Sequence, residues 1–187
     1  MNRFEPISPR RTHGYTLIET LTVVALVALT AVLATPSFIA WRVRDTIDAR
    51  ARSLASTLVY ARGESMRRGM RITVCRIDAS RRCLPTSKAC VNGTLDWSCG
   101  WAVFVEPAGA AATLLRSYED RPDISVTGVL SQLTFAPPSG LAIGGLRSFD
   151  IGPRYPTDAT RGDDWRRCVR IAATGRARMN RGTCGAT

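Results

Sequence analysis

The densest chemistry in the chain lies near its C-terminus, in Arg166-Arg167-Cys168-Val169-Arg170-Ile171-Ala172-Ala173-Thr174-Gly175-Arg176-Ala177-Arg178-Met179-Asn180-Arg181. Guanidinium groups pair with phosphate in a planar, bidentate way, which suits binding to a polyanion backbone without sequence readout. Val169, Ile171 and Ala173 alternate with Arg170, Ala172 and Thr174, the period of a strand. Thr174-Gly175 reads as a tight turn, since glycine reaches positive φ. Beyond it, Arg176 and Arg178 fall on the same side of an extended segment. The same residues also fit a solvated basic edge that keeps sheets from pairing.

Six cysteines form the second group: Cys75, Cys83, Cys90, Cys99, Cys168 and Cys184. An even count in an exported chain reads as disulfides, with 15 possible pairings. The short-range set Cys75–Cys83, Cys90–Cys99 and Cys168–Cys184 is favoured, and the last pair would tie the tail to the basic hairpin. Zinc is the competing chemistry. It is disfavoured because there is no Cys-x-x-Cys and the one histidine is His13.

The third feature is Glu19, set in an apolar run from Tyr15 to Ala34 that holds no other charge. An ionisable side chain in such a run is expensive and marks function. Twenty apolar positions suffice for one membrane crossing, and Arg10 and Arg11 before the run mark its cytoplasmic side. An ordinary signal peptide is the bland alternative, but it leaves Glu19 unexplained.

Enzyme chemistry finds little support. Beyond His13 the chain has no histidine, and no dinucleotide-binding or P-loop pattern is present. Asp163-Asp164 reads as loop, because adjacent residues of an extended segment point apart. No cofactor or metal is expected. The net charge of +11, with 26 basic residues against 15 acidic, favours anionic partners such as DNA or lipid headgroups.

The elements that must carry these groups are legible by period. Val43, Ile47, Ala51, Leu54, Leu58, Ala61 and Ser65 form one helical stripe, with Arg42, Arg44, Asp45, Asp48, Arg50, Arg52 and Arg62 mostly off it. Gly69 stops the helix, after Arg67 and Arg68. The period then changes to two, and strands are expected at 71–77, 101–106, 113–118, 124–127, 132–136, 148–151 and 166–173. Gly and Pro mark the turns, including Pro137-Pro138 and Gly144-Gly145. A polar loop over residues 78 to 98 needs its cysteines as ties. The expected class is α+β: a long N-terminal helix packed on an antiparallel β domain. Trp97, Trp101 and Phe104 are expected in the core. Arg67, Arg68, Arg71, Arg76, Arg81 and Arg82 are expected to form a solvated face. Arg154 and Arg161 are expected to add positive field.

Gly14-Tyr15-Thr16-Leu17-Ile18-Glu19, behind a short basic segment, resembles the N-terminus of the type IV pilin superfamily. That resemblance implies a leader over 1–14, cut after Gly14 by a prepilin peptidase. It further implies N-methylation at Tyr15 and a role for Glu19 in filament assembly. Tyr15 departs from the usual phenylalanine but keeps the ring, and Pro36 falls at a common proline position. The implied organisation is a transmembrane or filament-core helix over 15–36, an amphipathic helix over 37–69 and a periplasmic β domain over 70–187. The implied location is the bacterial inner membrane, single-pass, and then a pilus or pseudopilus.

Ile72-Thr73-Val74-Cys75, Asp96-Trp97 and Gly100-Trp101-Ala102-Val103-Phe104 resemble the GspH/FimT branch of that superfamily, which holds minor pilins and minor pseudopilins. Gly175-Arg176-Ala177-Arg178 is similar to the Gly-Arg-x-Arg motif of FimT minor pilins, which implies DNA binding during natural transformation. Gly175, Arg176 and Arg178 carry that match, and Arg170 and Arg181 join by proximity. The resemblance therefore implies a minor pilin at or near a pilus tip that binds double-stranded DNA, with other pilins as partners. A GspH-like pseudopilin of a type II secretion system is the alternative. A pilin–pilin contact at the arginines also stays open.

Overall fold

The computed structural model describes residues 14–144 and 147–185. The leader expected over 1–14 lies outside the described residues except for Gly14, and so does Gly145 of the expected Gly144-Gly145 turn. The chain falls into two compact units, Met1–Ile39 and Ala40–Thr187. One helix, α1 (Leu17–Arg68), contributes to both and passes the position of Pro36 without a break.

In the first unit, the stretch Leu17–Thr35 is long and apolar enough to cross a membrane, and its side chains are exposed. Its threonines do not leave hydroxyls unmet. Thr20 donates to the Leu17 carbonyl at 2.8 Å, Thr22 to Glu19 at 2.9 Å and Thr30 to Val27 at 2.9 Å. Such back-bonding removes much of the cost of a hydroxyl in an apolar medium. Glu19 is the single charge in the stretch, and its backbone N–H reaches the Thr16 hydroxyl at 3.3 Å.

In the second unit, Ile47, Ala51, Leu54, Leu58 and Ala61 of α1 are fully buried, as the stripe predicts. Thr57 and Ser65 join them because each hydroxyl finds a partner: Trp101 Nε1 donates to Thr57 at 3.2 Å, and Ser65 donates to the Phe135 carbonyl at 3.1 Å. Gly69 ends α1 at φ +66, its N–H bonded to the Ser65 carbonyl at 3.1 Å.

Among the described residues nine strands follow: β1 (Arg71–Arg76), β2 (Trp101–Glu106), β3 (Thr113–Tyr118), β4 (Ile124–Gly128), β5 (Gln132–Ala136), β6 (Leu141–Ala142), β7 (Arg147–Pro153), β8 (Arg167–Ile171) and β9 (Ala177–Arg181). They form two antiparallel sheets, ordered β3-β2-β1-β5-β6 and β4-β7-β8-β9. One core joins the α1 stripe to both sheets. Trp97 stands edge-on to Phe149 at 5.0 Å between centroids, and its Nε1 reaches the Leu130 carbonyl at 2.7 Å. This is the α+β architecture expected. The two-residue strand β6 has too few residues to show a period in sequence.

Arginines around the long loop and α1 depart from expectation. Arg76, expected on a solvated face, is 1% exposed. It shares its face of β1 with Ile72 and Val74 and donates to the carbonyls of Pro85 at 3.0 Å and Lys88 at 3.1 Å. It thus pins the long loop from inside, together with the Cys75–Cys83 and Cys90–Cys99 disulfides. Arg50, mostly off the helical stripe by spacing, lies over the Trp101 ring at 3.8 Å and donates to the Glu119 carbonyl at 2.9 Å. Burial, reinforced by Arg121, lowers its pKa to about 10, so it keeps its charge at neutral pH. A cation over an indole face is an attractive arrangement that a polarity pattern does not reveal.

Candidate nucleic-acid interface

The C-terminal arginines are mounted on the β8–β9 hairpin, paired Arg167↔Arg181, Cys168↔Asn180, Val169↔Met179, Arg170↔Arg178 and Ile171↔Ala177. Alternation gives the hairpin two faces. Val169 and Ile171 are fully buried on the inner face, where Ala177 also packs against the core. The outer face carries Cys168, Arg170, Arg178 and Asn180.

The turn spans Ala172 to Gly175 rather than Thr174-Gly175 alone. Ala172 N–H bonds to the Arg176 carbonyl at 3.0 Å, and Gly175 N–H bonds to the Ala172 carbonyl at 2.8 Å. Strand β8 therefore ends at Ile171, before the expected limit at residue 173. Gly175 has φ +79 and is buried. A Cβ there would fall 2.1 Å from the Gly140 carbonyl oxygen and 3.0 Å from Cδ of Arg62. Only glycine fits, for both conformation and space.

Arg176 continues the ladder and, by alternation, lies on the same face as Arg178. Both side chains are exposed, and among the described residues neither has an ion pair. Arg170 is half-buried and donates to the Gly185 carbonyl at 3.1 Å. Arg181 is exposed but sits on the other face, opposite Arg167. Of the five residues predicted from sequence, Gly175, Arg176 and Arg178 therefore form one unit. Arg170 is partly engaged by the tail, and Arg181 faces away.

The tail folds back over the outer face of the hairpin. Cys184 is bonded to Cys168, and its N–H reaches Asp150 Oδ2 at 3.0 Å. The other carboxylate oxygen of Asp150 accepts from Arg166 Nε at 2.7 Å. The signal for Asp150 as an anchor is long-range pairing, which local spacing does not carry. Arg167 points inward and is paired with Asp48 of α1. The neighbouring arginines are thus spent on structure, which leaves Arg176 and Arg178 as the exposed, unpaired cations of the hairpin's outer face among the described residues.

The other basic clusters contrast with this. Arg67 and Arg68 both hold Glu64, at 2.7 and 2.5 Å, and their hydrogen bonds depress its carboxyl pKa to about 2. Arg82 pairs with Asp78 at 3.1 Å. Arg154, expected to add positive field, instead forms a largely buried pair with Asp96 at 2.6 Å. Burial alone would raise the Asp96 carboxyl, but hydrogen bonds from Ser98, Arg154 and Thr94 together pull it below the usual range. Arg161 lies within 3.3 Å of Asp158 on the surface.

Comparison with known proteins follows the same architecture. Two crystal forms of the Pseudomonas aeruginosa type IV minor pilin FimU are similar in fold, each at 20% identity. One gives a TM-score of 0.53 over 73% of this chain and 90% of FimU, and the other 0.50 over 71% and 91%. No curated protein sequence matches significantly. The profile of the family described as type II transport protein GspH matches residues 50–175, from the amphipathic part of α1 to the glycine of the hairpin turn. With the helix, the two sheets and that match in hand, this chain belongs to the family described as type II transport protein GspH.

Proposed function

We propose that the protein is a minor type IV pilin that assembles into or near the pilus tip and binds double-stranded DNA non-specifically for natural transformation. The observation that carries this reading is the pair Arg176 and Arg178: exposed, unpaired and aligned on one face of a disulfide-stapled hairpin. A rigid mount lowers the entropy lost when the two guanidinium groups engage phosphates. Binding is driven by counterion release and is therefore weak per subunit and steep in salt. Retraction by other proteins supplies the work.

In the same proposal a prepilin peptidase cuts after Gly14 and Tyr15 becomes the methylated N-terminal residue. Leu17–Thr35 anchors the chain in the inner membrane, with the second unit in the periplasm. Glu19 then pairs with the N-terminal amine of a neighbouring subunit. Such a pair favours correct register more than it adds net stability.

A second reading, favoured by the family description, is a structural pseudopilin of a type II secretion system. Its partners are other pseudopilins. Titration of the full-length chain, held in non-ionic detergent, with duplex DNA at several salt concentrations separates the two. Salt-steep binding that weakens in R176Q/R178Q supports the first reading, and its absence leaves the second.

A further inference from the structure

Arg62 belongs to the residues mostly off the apolar stripe of α1, but it lies beneath the hairpin turn. Its stem passes under two glycines of separate loops, Gly140 and Gly175, both at positive φ. A methyl group at Gly140 would come 2.7 Å from Arg62 Cγ, and one at Gly175 would come 3.1 Å from Arg62 Nε. The Nε atom is buried and has no hydrogen-bond partner, and among the described residues Arg62 makes no ion pair. The terminal Nη groups are not enclosed in this way, and on this half-buried side chain they are the donors an acceptor from outside can reach.

Carboxylates of the surrounding segments are already held. Glu64 is taken by Arg67 and Arg68, Asp48 by Arg167, and Asp150 by Arg166 and the Cys184 N–H. No acidic residue lies between Arg166 and Arg181. Gly175 directly precedes Arg176, so the guanidinium of Arg62 stands at the foot of the segment that carries the two free hairpin arginines.

We infer that Arg62 is a third phosphate-binding cation, which extends the interface from the β8–β9 turn onto α1. This inference rests on the DNA-binding reading above. A single phosphodiester strand crossing the turn would meet Arg62 on one side and Arg176 and Arg178 on the other. The bland role is packing alone, with the apolar stem covering two glycines and the head in water.

The test measures affinity for duplex DNA against salt with the full-length chain in non-ionic detergent. R62Q and R62M, the latter retaining an apolar stem, are compared with R62K and R176Q/R178Q. Loss of one phosphate contact lowers the log–log salt slope by about 0.9, so the fall in affinity between 50 and 200 mM salt shrinks about 3.5-fold. That loss is expected in R62Q and R62M, while R62K keeps the wild-type slope. A wild-type slope in R62M or R62Q, alongside a reduced slope in R176Q/R178Q, makes Arg62 a packing residue and leaves the hairpin reading standing. An R62K slope as low as that of R62Q overturns the inference as well, because charge would not be what was lost. Absence of salt-dependent binding in the wild type removes both readings.

Discussion

Arg167 of β8 donates through Nε to a carboxylate oxygen of Asp48 on α1, 119 residues earlier in the chain. Its Nη1 also reaches the carbonyls of Asp164 at 2.9 Å and Arg166 at 2.7 Å. This pair ties the base of the hairpin to the helix and takes Arg167 out of the exposed cationic set.

Removing Asp48 leaves a buried guanidinium without its counter-charge. The Arg167 side chain is only 3% exposed, so D48A is expected to cost about 3 kcal/mol. Replacing both partners with apolar residues, as in D48L/R167M, should recover most of that loss. Thermal unfolding followed by the fluorescence of buried Trp97 and Trp101 measures both variants. Equal stability of D48A and wild type would show that the pair contributes nothing.

Gly175 and Gly182 make a paired comparison, with φ of +79 and +88. A Cβ at Gly175 meets a backbone oxygen, whereas one at Gly182 meets nothing within 4 Å. G182A should cost about 1 kcal/mol for conformation alone, and G175A about 3 kcal/mol, because the turn must also move off Gly140. Similar melting temperatures for the two variants would refute the steric argument.

Acid stability follows from Glu64 and Asp96. Both carboxyls lie below their ordinary values in the folded state, Glu64 at about 2. A depressed folded-state value contributes stability above the unfolded value, and that stability is lost as pH falls through it toward about 2. Melting temperature should therefore drop between about pH 4.5 and pH 2. E64Q/D96N should be less stable at neutral pH and show a flatter acid limb. Parallel pH profiles would show that other carboxyls govern the acid transition.

Much of the fold was legible because its signals are local. The α1 stripe, the stop at Gly69 and most strand limits follow from period and turn residues, which depend only on neighbours along the chain. The arginines were less legible. Arg50, Arg76, Arg154 and Arg167 look the same in sequence as Arg176 and Arg178. What separates them is a distant partner: the Trp101 ring, loop carbonyls, Asp96 and Asp48 respectively. A rule that places charge outside holds on average and fails where a carboxylate or carbonyl waits inside. In the candidate site, Arg181 stands apart from Arg176 and Arg178 for a simpler reason. Proximity in sequence ignored the alternation that turns it to the other face of β9.

Glu19 is the one charge of an apolar stretch whose hydroxyls are internally satisfied. If its role is to pair with a neighbouring subunit, E19A should still be processed at Gly14 but should not enter filaments. Immunoblotting of sheared filaments and of membranes, from cells that express the variant, reads both steps. Normal incorporation of E19A would remove assembly from its role.

The central claim is that Arg176 and Arg178 contact DNA phosphates. Its most direct test is the salt dependence of duplex DNA binding by the wild-type chain and by R176Q/R178Q. The account predicts weaker binding in the double variant and a log–log slope lower by up to about 1.8 for two lost contacts. Unchanged affinity and slope in R176Q/R178Q would contradict it.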